Sequence, residues 1–372
     1  MTASMNYQRR IDAVRDLMHG RGLDLLLIGQ RANREYLSGF TWHDESSTVS
    51  VGWIVLSSTM GLLLTNFNHA EAAKATIRHL EVRIARARLN DLVVDVLREI
   101  EGTRIGFESD WINVSTHAVL VERIGAGRSL VPADELVEEL RAVKDVDEIA
   151  ALRHAIDLTD RAYTNVVGRI KPGQTERQVA WDLERELREL GADSMAFGPA
   201  VAAGPHSAIP HHEPTDYAIE PGDPVWVDLG ARIDGYCGDL TRSFCLEFAS
   251  DFYLETWNKV HEAEKRALAG LKEGMSGREV DAFARDFFTS IGRADEFGHG
   301  LGHGLGLMIH EGPRVSWTSD EPMRAGMVVT IEPGLYRVGW GGVRLEDVAL
   351  VRTGGAEVLS TAPKAPVVGT RW

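Results

Sequence analysis

Four carboxylates in this chain lie inside runs of β-forming apolar residues, where a soluble protein has little reason to place them. Asp228 lies in PVWVDLG, and Asp239 follows in YCGDLTRSFCLE, beyond the turn residues Asp234-Gly235. Side chains alternate between the faces of a strand, so a hairpin centred on 233–234 or on 234–235 puts both aspartates on one face. They are then direct or diagonal cross-strand neighbours, roughly 5–8 Å apart. Like charges facing each other in a buried hairpin need a cation or a proton between them. GMVVTIEPGLY places Glu332 at the end of an apolar strand, and GGVRLEDVALV places Glu346 in the middle of another. Glycines at 339, 341 and 342 supply the reversal, and a loop centred near Gly339 brings the two glutamates face to face. One such pair has a bland counterpart, a solvated strand face carrying two unrelated acids. Two pairs with the same geometry do not.

Histidines accompany these acids. His303 and His310 lie in the Gly-rich run FGHGLGHGLGLMIHE, where backbone can approach a ligand closely. The His310-Glu311 dipeptide is not the helical zinc-protease motif, because position 314 is Arg and the glycines disfavour a helix. His299 and His303 are related by a local repeat, and spacing does not choose between them. Charge counting then limits what such a site holds. Four carboxylates and a bridging hydroxide carry −5, so one divalent ion leaves −3 and two leave −1, which favours two ions. An oxygen-rich set with one imidazole suits Mn²⁺, with Co²⁺, Fe²⁺ or Zn²⁺ as alternatives. A pair of such ions makes a hydroxide nucleophile at neutral pH and polarises a carbonyl.

Composition narrows the class. At 372 residues the chain exceeds the usual single core, so two domains are expected, with a boundary at 137/138. A net charge of −15 argues against nucleic acid as a partner, which needs a basic face. No apolar run approaches the roughly 20 residues that span a bilayer, and no apolar segment follows the first charges, so no membrane is expected and the expected compartment is the cytoplasm. Cys237 and Cys245 are too few for a disulfide framework, and on the single extended strand expected here they are too far apart to bridge. Both read as free packing thiols.

Residues 1–137 alternate strand-like runs (DLLLIG, VGWIVLS, GLLLT, TRIGF) with helix-like stretches, an α/β texture without a Gly-rich phosphate loop. Helical spacing then runs to about 168, and Thr175 is a candidate N-cap before ERQVAWDLERELREL. From 197 onward, strand-like runs surround two helices at about 252–272 and 276–291, an α+β domain built on antiparallel hairpins. No repeat stands out, and the tail TAPKAPVVGTRW reads as a short surface extension.

Taken together, PHH near 211, VWVDLGARIDGYCGDLTR, GHGLGLMIHEGPR, TIEPGLY and GGVRLEDV resemble the pita-bread metallopeptidases, in the branch of aminopeptidase P and prolidase. The likeness is strong from about 135 to 360. It is looser in the first domain, around YLSGFTW, which resembles the family's creatinase-like N-terminal domain. The resemblance implies a catalytic domain over 138–372 and a ligand set of Asp228, Asp239, His303, Glu332 and Glu346, with His299 outside it. It implies that Asp228 holds one ion, that His303 and Glu332 hold the other, and that Asp239 and Glu346 bridge. Glu332 is further implied as proton acceptor, with His211 and His310 as non-ligand histidines near the scissile bond. The implied reaction is hydrolysis of the bond between an N-terminal residue and proline, by a homodimer. Arg314 stands where prolidase-like members place an arginine for a dipeptide's carboxylate. Relatives with the same ligands that act on small amides, or as a lyase of a sulfonium acid, form the alternative. A metal-free interaction protein is disfavoured by the complete ligand set.

Overall fold

Alternation of apolar runs and helices builds a mixed sheet in the first part of the chain. The computed structural model describes residues 5–41 and 50–369, and the chain divides into two units, Met1–Arg141 and Ala142–Trp372. In the first unit, β1 (Leu25–Ile28), β2 (Gly52–Ser57), β3 (Gly61–Thr65), β4 (Glu81–Ile84), β5 (Arg104–Phe107) and β6 (Ser129–Pro132) form one sheet in the order β4-β3-β2-β1-β5-β6. Val93, Val94, Val96 and Leu97 of the helix Leu89–Glu99 pack onto Leu25, Leu27, Val55, Leu64 and Ile105 of that sheet. The four strand-like runs are its inner strands. The edges β4 and β6 carry charges or a proline and are mostly half-buried, so no apolar alternation announced them. Of YLSGFTW, Trp42 lies outside the described residues.

The second unit begins with the helix Val146–Val167, opened by a capping box between Asp145 and Glu148. Its strands are β7 (Ser194–Met195), β8 (Ala200–Ala203), β9 (Pro224–Leu229), β10 (Ala231–Ile233), β11 (Tyr236–Cys237), β12 (Leu240–Leu246), β13 (Gly302–Gly304), β14 (Glu311–Val315), β15 (Val328–Ile331), β16 (Gly334–Arg337), β17 (Gly341–Arg344), β18 (Asp347–Arg352), β19 (Gly355–Val358) and β20 (Val367–Val368). One sheet runs β20-β12-β9-β8 and packs against the helices Val146–Val167 and Glu176–Glu189 through Leu158, Val179, Leu183, Val225, Val227 and Phe244. A second runs β14-β13-β15-β18-β19 and packs against Asp251–Gly270 and Gly277–Ser290 through Val260, Val280, Phe288, Val329, Ile331 and Ala349. This is the expected α+β architecture. Among the described residues, no helix is long and apolar enough to cross a membrane.

The two halves repeat one design that the sequence did not reveal. Helices Glu176–Glu189 and Gly277–Ser290 each have 14 residues and a capping box. Their N-caps Thr175 and Ser276 each form an isolated antiparallel bridge, to Ala218 and Pro322. The repeat lies in backbone pairing and caps, which many side chains satisfy, so few identities record it.

Two expectations are corrected. YCGDLTRSFCLE is not one strand: it breaks at Gly238-Asp239, so that Cys237 lies in β11 and Cys245 in β12, in different sheets. The cause is close packing at Gly238, where a Cβ would meet Thr159 Oγ1 at 2.5 Å and the Ala155 carbonyl at 2.8 Å. Both cysteines are buried and free. The tail is not a loose extension either. β20 pairs with β12, Thr361 donates to Asp160, and Lys364 pairs with Asp347 at 2.5 Å. Buried acids draw it in.

Arg242, 1% exposed, ties the tail to the strand after Glu346. It donates to Asp347 Oδ1 at 2.8 Å, to the Ala362 carbonyl at 2.9 Å and to the Glu346 carbonyl. Arg242→Met strips donors from those groups, and a loss of about 3–5 kcal/mol is expected in urea unfolding, as for one partner removed from a buried ion pair. A loss below about 1 kcal/mol, the range of exposed pairs, would show that the network is dispensable.

Candidate metal centre

Strand register decides where the acids point. The residues Asp234-Gly235, with φ of 49° and 85°, make the two-residue turn between β10 and β11, so the reversal centres on 234–235. β9 pairs with β12 with Asp228 opposite Thr241, which makes Asp239 the diagonal neighbour of Asp228 on the same face. On the other side, Ile331 pairs with Asp347 and Gly334 with Arg344. Both ladders share one register centred on Gly339, whose φ of 82° suits glycine, and Glu332 therefore lies opposite Glu346. The main-chain N–H of Glu346 donates to the Thr241 carbonyl at 3.1 Å, which joins the two hairpins.

Between them stands His303, on β13. Its Nδ1 lies 3.1 Å from the Gly304 carbonyl, which only accepts, so Nδ1 carries the proton and Nε2 offers a lone pair. Nε2 is 3.6 Å from Asp239 Oδ2 and 3.4 Å from Glu332 Oε1. Ligand atoms of Asp239, His303 and Glu346 all lie within 4.8 Å of one another. Asp228 Oδ1 is buried without a hydrogen-bond partner among the described residues. Acceptors outnumber donors here among the described residues, with Asp228 Oδ1 and His303 Nε2 among the acceptors, an arrangement that fits divalent cations. Thr241 Oγ1 donates to Glu346 Oε2 at 2.9 Å and Thr330 Oγ1 to Glu332 Oε1 at 3.3 Å, orienting each carboxylate.

Electrostatics report the same crowding. Burial, then the charges of Glu346 and Asp228, hold Asp239 well above the usual carboxylate range. Burial, then Glu332 and Asp228, does the same to Glu346. Glu332 is pushed up to about 7 by burial, against the opposing pull of Arg344. Burial, with the charge of His310 adding to it, lowers His303 to about 4, so its imidazole is neutral at pH 7.

Sequence reasoning missed Arg344. It is 4% exposed, lies over the Trp226 ring at 4.6 Å, and donates to Asp228 Oδ2 at 2.8 Å, Thr241 Oγ1 at 3.0 Å and Tyr336 OH at 2.9 Å. Its charge offsets the single negative charge that remains after two ions and a hydroxide are counted. The signal was present in VRLED, where Arg344 shares a strand face with Glu346 two residues on.

The histidines separate by contact. His299 bonds to the Gly300 carbonyl at 2.8 Å and Tyr336 OH at 3.2 Å, away from the carboxylate group. His310 is exposed and meets the His303 ring edge-on at 4.3 Å. Loss of water, with the charge of His211 next, lowers its proton affinity. His211 is exposed, while His206 and His212 both bond to Glu176. Arg314 pairs with His303 across the β13–β14 ladder and is exposed, and its charge also reaches His310.

The sequence model of Metallopeptidase family M24 matches residues 150–353, and that of the Creatinase/Prolidase N-terminal domain matches 10–143. The chain belongs to metallopeptidase family M24. It is 36% identical over 359 residues to an uncharacterized peptidase, YqhT, of Bacillus subtilis, covering 96% of this chain and 99% of that one. It is 31% identical to the Xaa-Pro dipeptidase of Pyrococcus furiosus, covering 95% and 98%. Among solved structures, the Xaa-Pro dipeptidase from Bacillus anthracis matches with a TM-score of 0.92 and 35% identity, covering 98% and 100%. The X-Pro aminopeptidase from Thermotoga maritima matches at 0.89 and 33%, covering 98% and 99%. The fold is thus the two-domain, creatinase-like arrangement, and the protein is a metallopeptidase by family.

Raised carboxylates make metal loading pH-dependent. In the metal-free protein Glu332 binds a proton up to about pH 7, whereas an unfolded glutamate loses it near 4.5. Its contribution to stability is therefore lost as pH rises from about 4.5 through 7, and ions that bind the ionised form restore it. Loading Mn²⁺ into chelator-stripped protein should release more protons per chain at pH 6 than at pH 8. Equal release at both would contradict the protonated, metal-free site.

Proposed function

We propose that this metallopeptidase hydrolyses the bond between an N-terminal residue and proline, in dipeptides or at the start of short peptides, with two divalent ions at its centre. The observation that carries the reading is the convergence of buried Asp239 and Glu346 with half-buried Asp228, Glu332 and the Nε2 lone pair of His303. In this reading Asp228, Asp239, His303, Glu332 and Glu346 would hold the ions, with Asp239 and Glu346 serving both; Mn²⁺ would be preferred, with Co²⁺, Fe²⁺ or Zn²⁺ able to substitute. Ions held there would supply Lewis acidity, activating water at neutral pH and polarising the scissile carbonyl.

The remaining roles fall to side chains of the chain itself. Glu332, beside the Nε2 of His303, would take the proton of the attacking water. His310, whose ring meets His303 edge-on, and His211, whose charge reaches His310, are both exposed, and in this reading their imidazoles would donate to the tetrahedral oxygen or to the leaving imino nitrogen. A proline imide has no N–H, so recognition rests on ring shape, on the carbonyl and on the far carboxylate. Arg314, near His310, would pair with that carboxylate and favour dipeptides. A homodimer belongs to the same reading and rests on the family resemblance, while the cytoplasm is inferred from the sequence's apolar pattern.

Steady-state assays of Mn²⁺-loaded enzyme on Ala-Pro, Ala-Ala and a longer Ala-Pro peptide test it. Ala-Pro should be cleaved well above Ala-Ala. Asp239→Ala and Glu346→Ala should abolish turnover, while Arg314→Ala should harm Ala-Pro more than the longer peptide. Full activity in either acid variant, or indifference to proline, would sink the reading.

A further inference from the structure

Glu176 is the first residue of the helix Glu176–Glu189 and is 0% exposed. Its carboxylate accepts five hydrogen bonds. Oε1 takes the main-chain N–H of Ala203 at 2.8 Å and His206 Nδ1 at 3.0 Å. Oε2 takes His212 Nε2 at 2.9 Å, the main-chain N–H of Thr215 at 3.0 Å and Thr215 Oγ1 at 2.7 Å. These donors come from the end of β8 and from the loop after it, on both sides of His211 in the chain.

The helix start does not need this carboxylate. Capping is done by Thr175 and Gln178, and the equivalent first position in the other half is Gly277. A Cβ there would meet the Arg314 carbonyl at 2.1 Å. A buried acid at this position is thus a property of the half that carries His211, not of the repeated design. The neighbours of His211 are both tied down: the Pro210 carbonyl accepts from Arg344 Nη1 at 3.3 Å, and His212 donates to Glu176. Arg344 in turn holds Asp228. His211 is therefore suspended between a contact to the metal centre and a contact to Glu176.

Glu176, His206 and His212 also bring ligand atoms within 4.8 Å of one another, as a metal would require. Here, however, each carboxylate oxygen already accepts a main-chain N–H that cannot turn away, and Thr215 adds a hydroxyl. Burial would raise the Glu176 carboxyl, but the bonds from Thr215, His212 and Ala203 outweigh it and hold the group below its ordinary value, as an anion. The carboxylate is saturated by donors rather than open to an ion.

We propose that Glu176 is a positioning residue for His211: by gathering Ala203, His206, His212 and Thr215 on one buried carboxylate, it fixes the loop that presents the His211 imidazole to substrate. This rests on the role given to His211 in the proposed function. Such a residue acts on kcat through His211 and leaves the metals alone.

The test is a double-mutant cycle on the full-length Mn²⁺-loaded enzyme with Ala-Pro, with bound metal measured in every variant. In Glu176→Gln the carboxamide must aim its NH₂ at the N–H of Ala203 or of Thr215 whichever way it turns. His211→Ala should lower kcat about 100-fold, the scale of a lost general acid. Glu176→Gln should lower kcat about 10-fold with KM and metal content kept, and in the His211→Ala background it should cost less than about 2-fold more. Thr215→Val, which removes one donor and leaves the carboxylate, should show a smaller loss with the same dependence on His211, and serves if Glu176→Gln folds poorly. Losses that multiply in the double variants would reduce Glu176 and Thr215 to packing and overturn the proposal while leaving His211 its role. Undiminished kcat in His211→Ala would overturn both that role and this proposal, with the two-ion reading judged separately by Asp239→Ala. An additional ion in the wild type, lost in Glu176→Gln, would make the carboxylate a ligand and also overturn it.

Discussion

Mutual repulsion among Asp228, Asp239, Glu332 and Glu346 sets the terms for the second unit. Each lies on or next to a strand whose register fixes its direction, and three of the four have proton affinities raised first by burial and then by one another. Left without cations, the group is stable only when partly protonated. The surrounding structure acts as a frame that keeps the acceptors aimed inward: Thr241 and Thr330 each hold a glutamate, and Arg344 holds the outer oxygen of Asp228. Asp228 Oδ1, without a hydrogen-bond partner among the described residues, and the unprotonated Nε2 of His303 are what such a frame leaves for metal ions.

The doubled architecture explains how two hairpins reach one point. Each half packs a pair of helices against a sheet, and each supplies one pair of acids. The Glu346 N–H bonded to the Thr241 carbonyl links them, and Arg242 ties the same strand to the tail. Asymmetry enters where chemistry needs it. Glu176 in one half answers to Gly277 in the other, because one half carries the His211 loop and the other passes the β14 backbone through the equivalent space.

Much of the centre was legible in the sequence because it follows from period-two alternation and turn chemistry. Asp234-Gly235 and Gly339 marked two reversals, and parity faced the acids whichever of the two centres the first hairpin took; the structure centres it on 234–235. What escaped was set by tertiary packing. An arginine in a strand carries no sequence mark of burial, yet Arg344 is buried beside Asp228. A glutamate in the first turn of a helix reads as a favourable dipole partner, which hid the five bonds of Glu176. Gly238 breaks a strand because the helix Val146–Val167 presses on it, and no local pattern announces that contact. His299 and His303 have similar local surroundings in sequence, and only the fold sends one to Tyr336 and the other to the carboxylates.

Anomalous diffraction from crystals soaked in Mn²⁺ addresses the centre most directly. The account predicts two peaks per chain, one against Asp228 and one against His303 and Glu332, with Asp239 and Glu346 touching both. A single peak, or peaks that leave Asp239 and Glu346 uncoordinated, would contradict it.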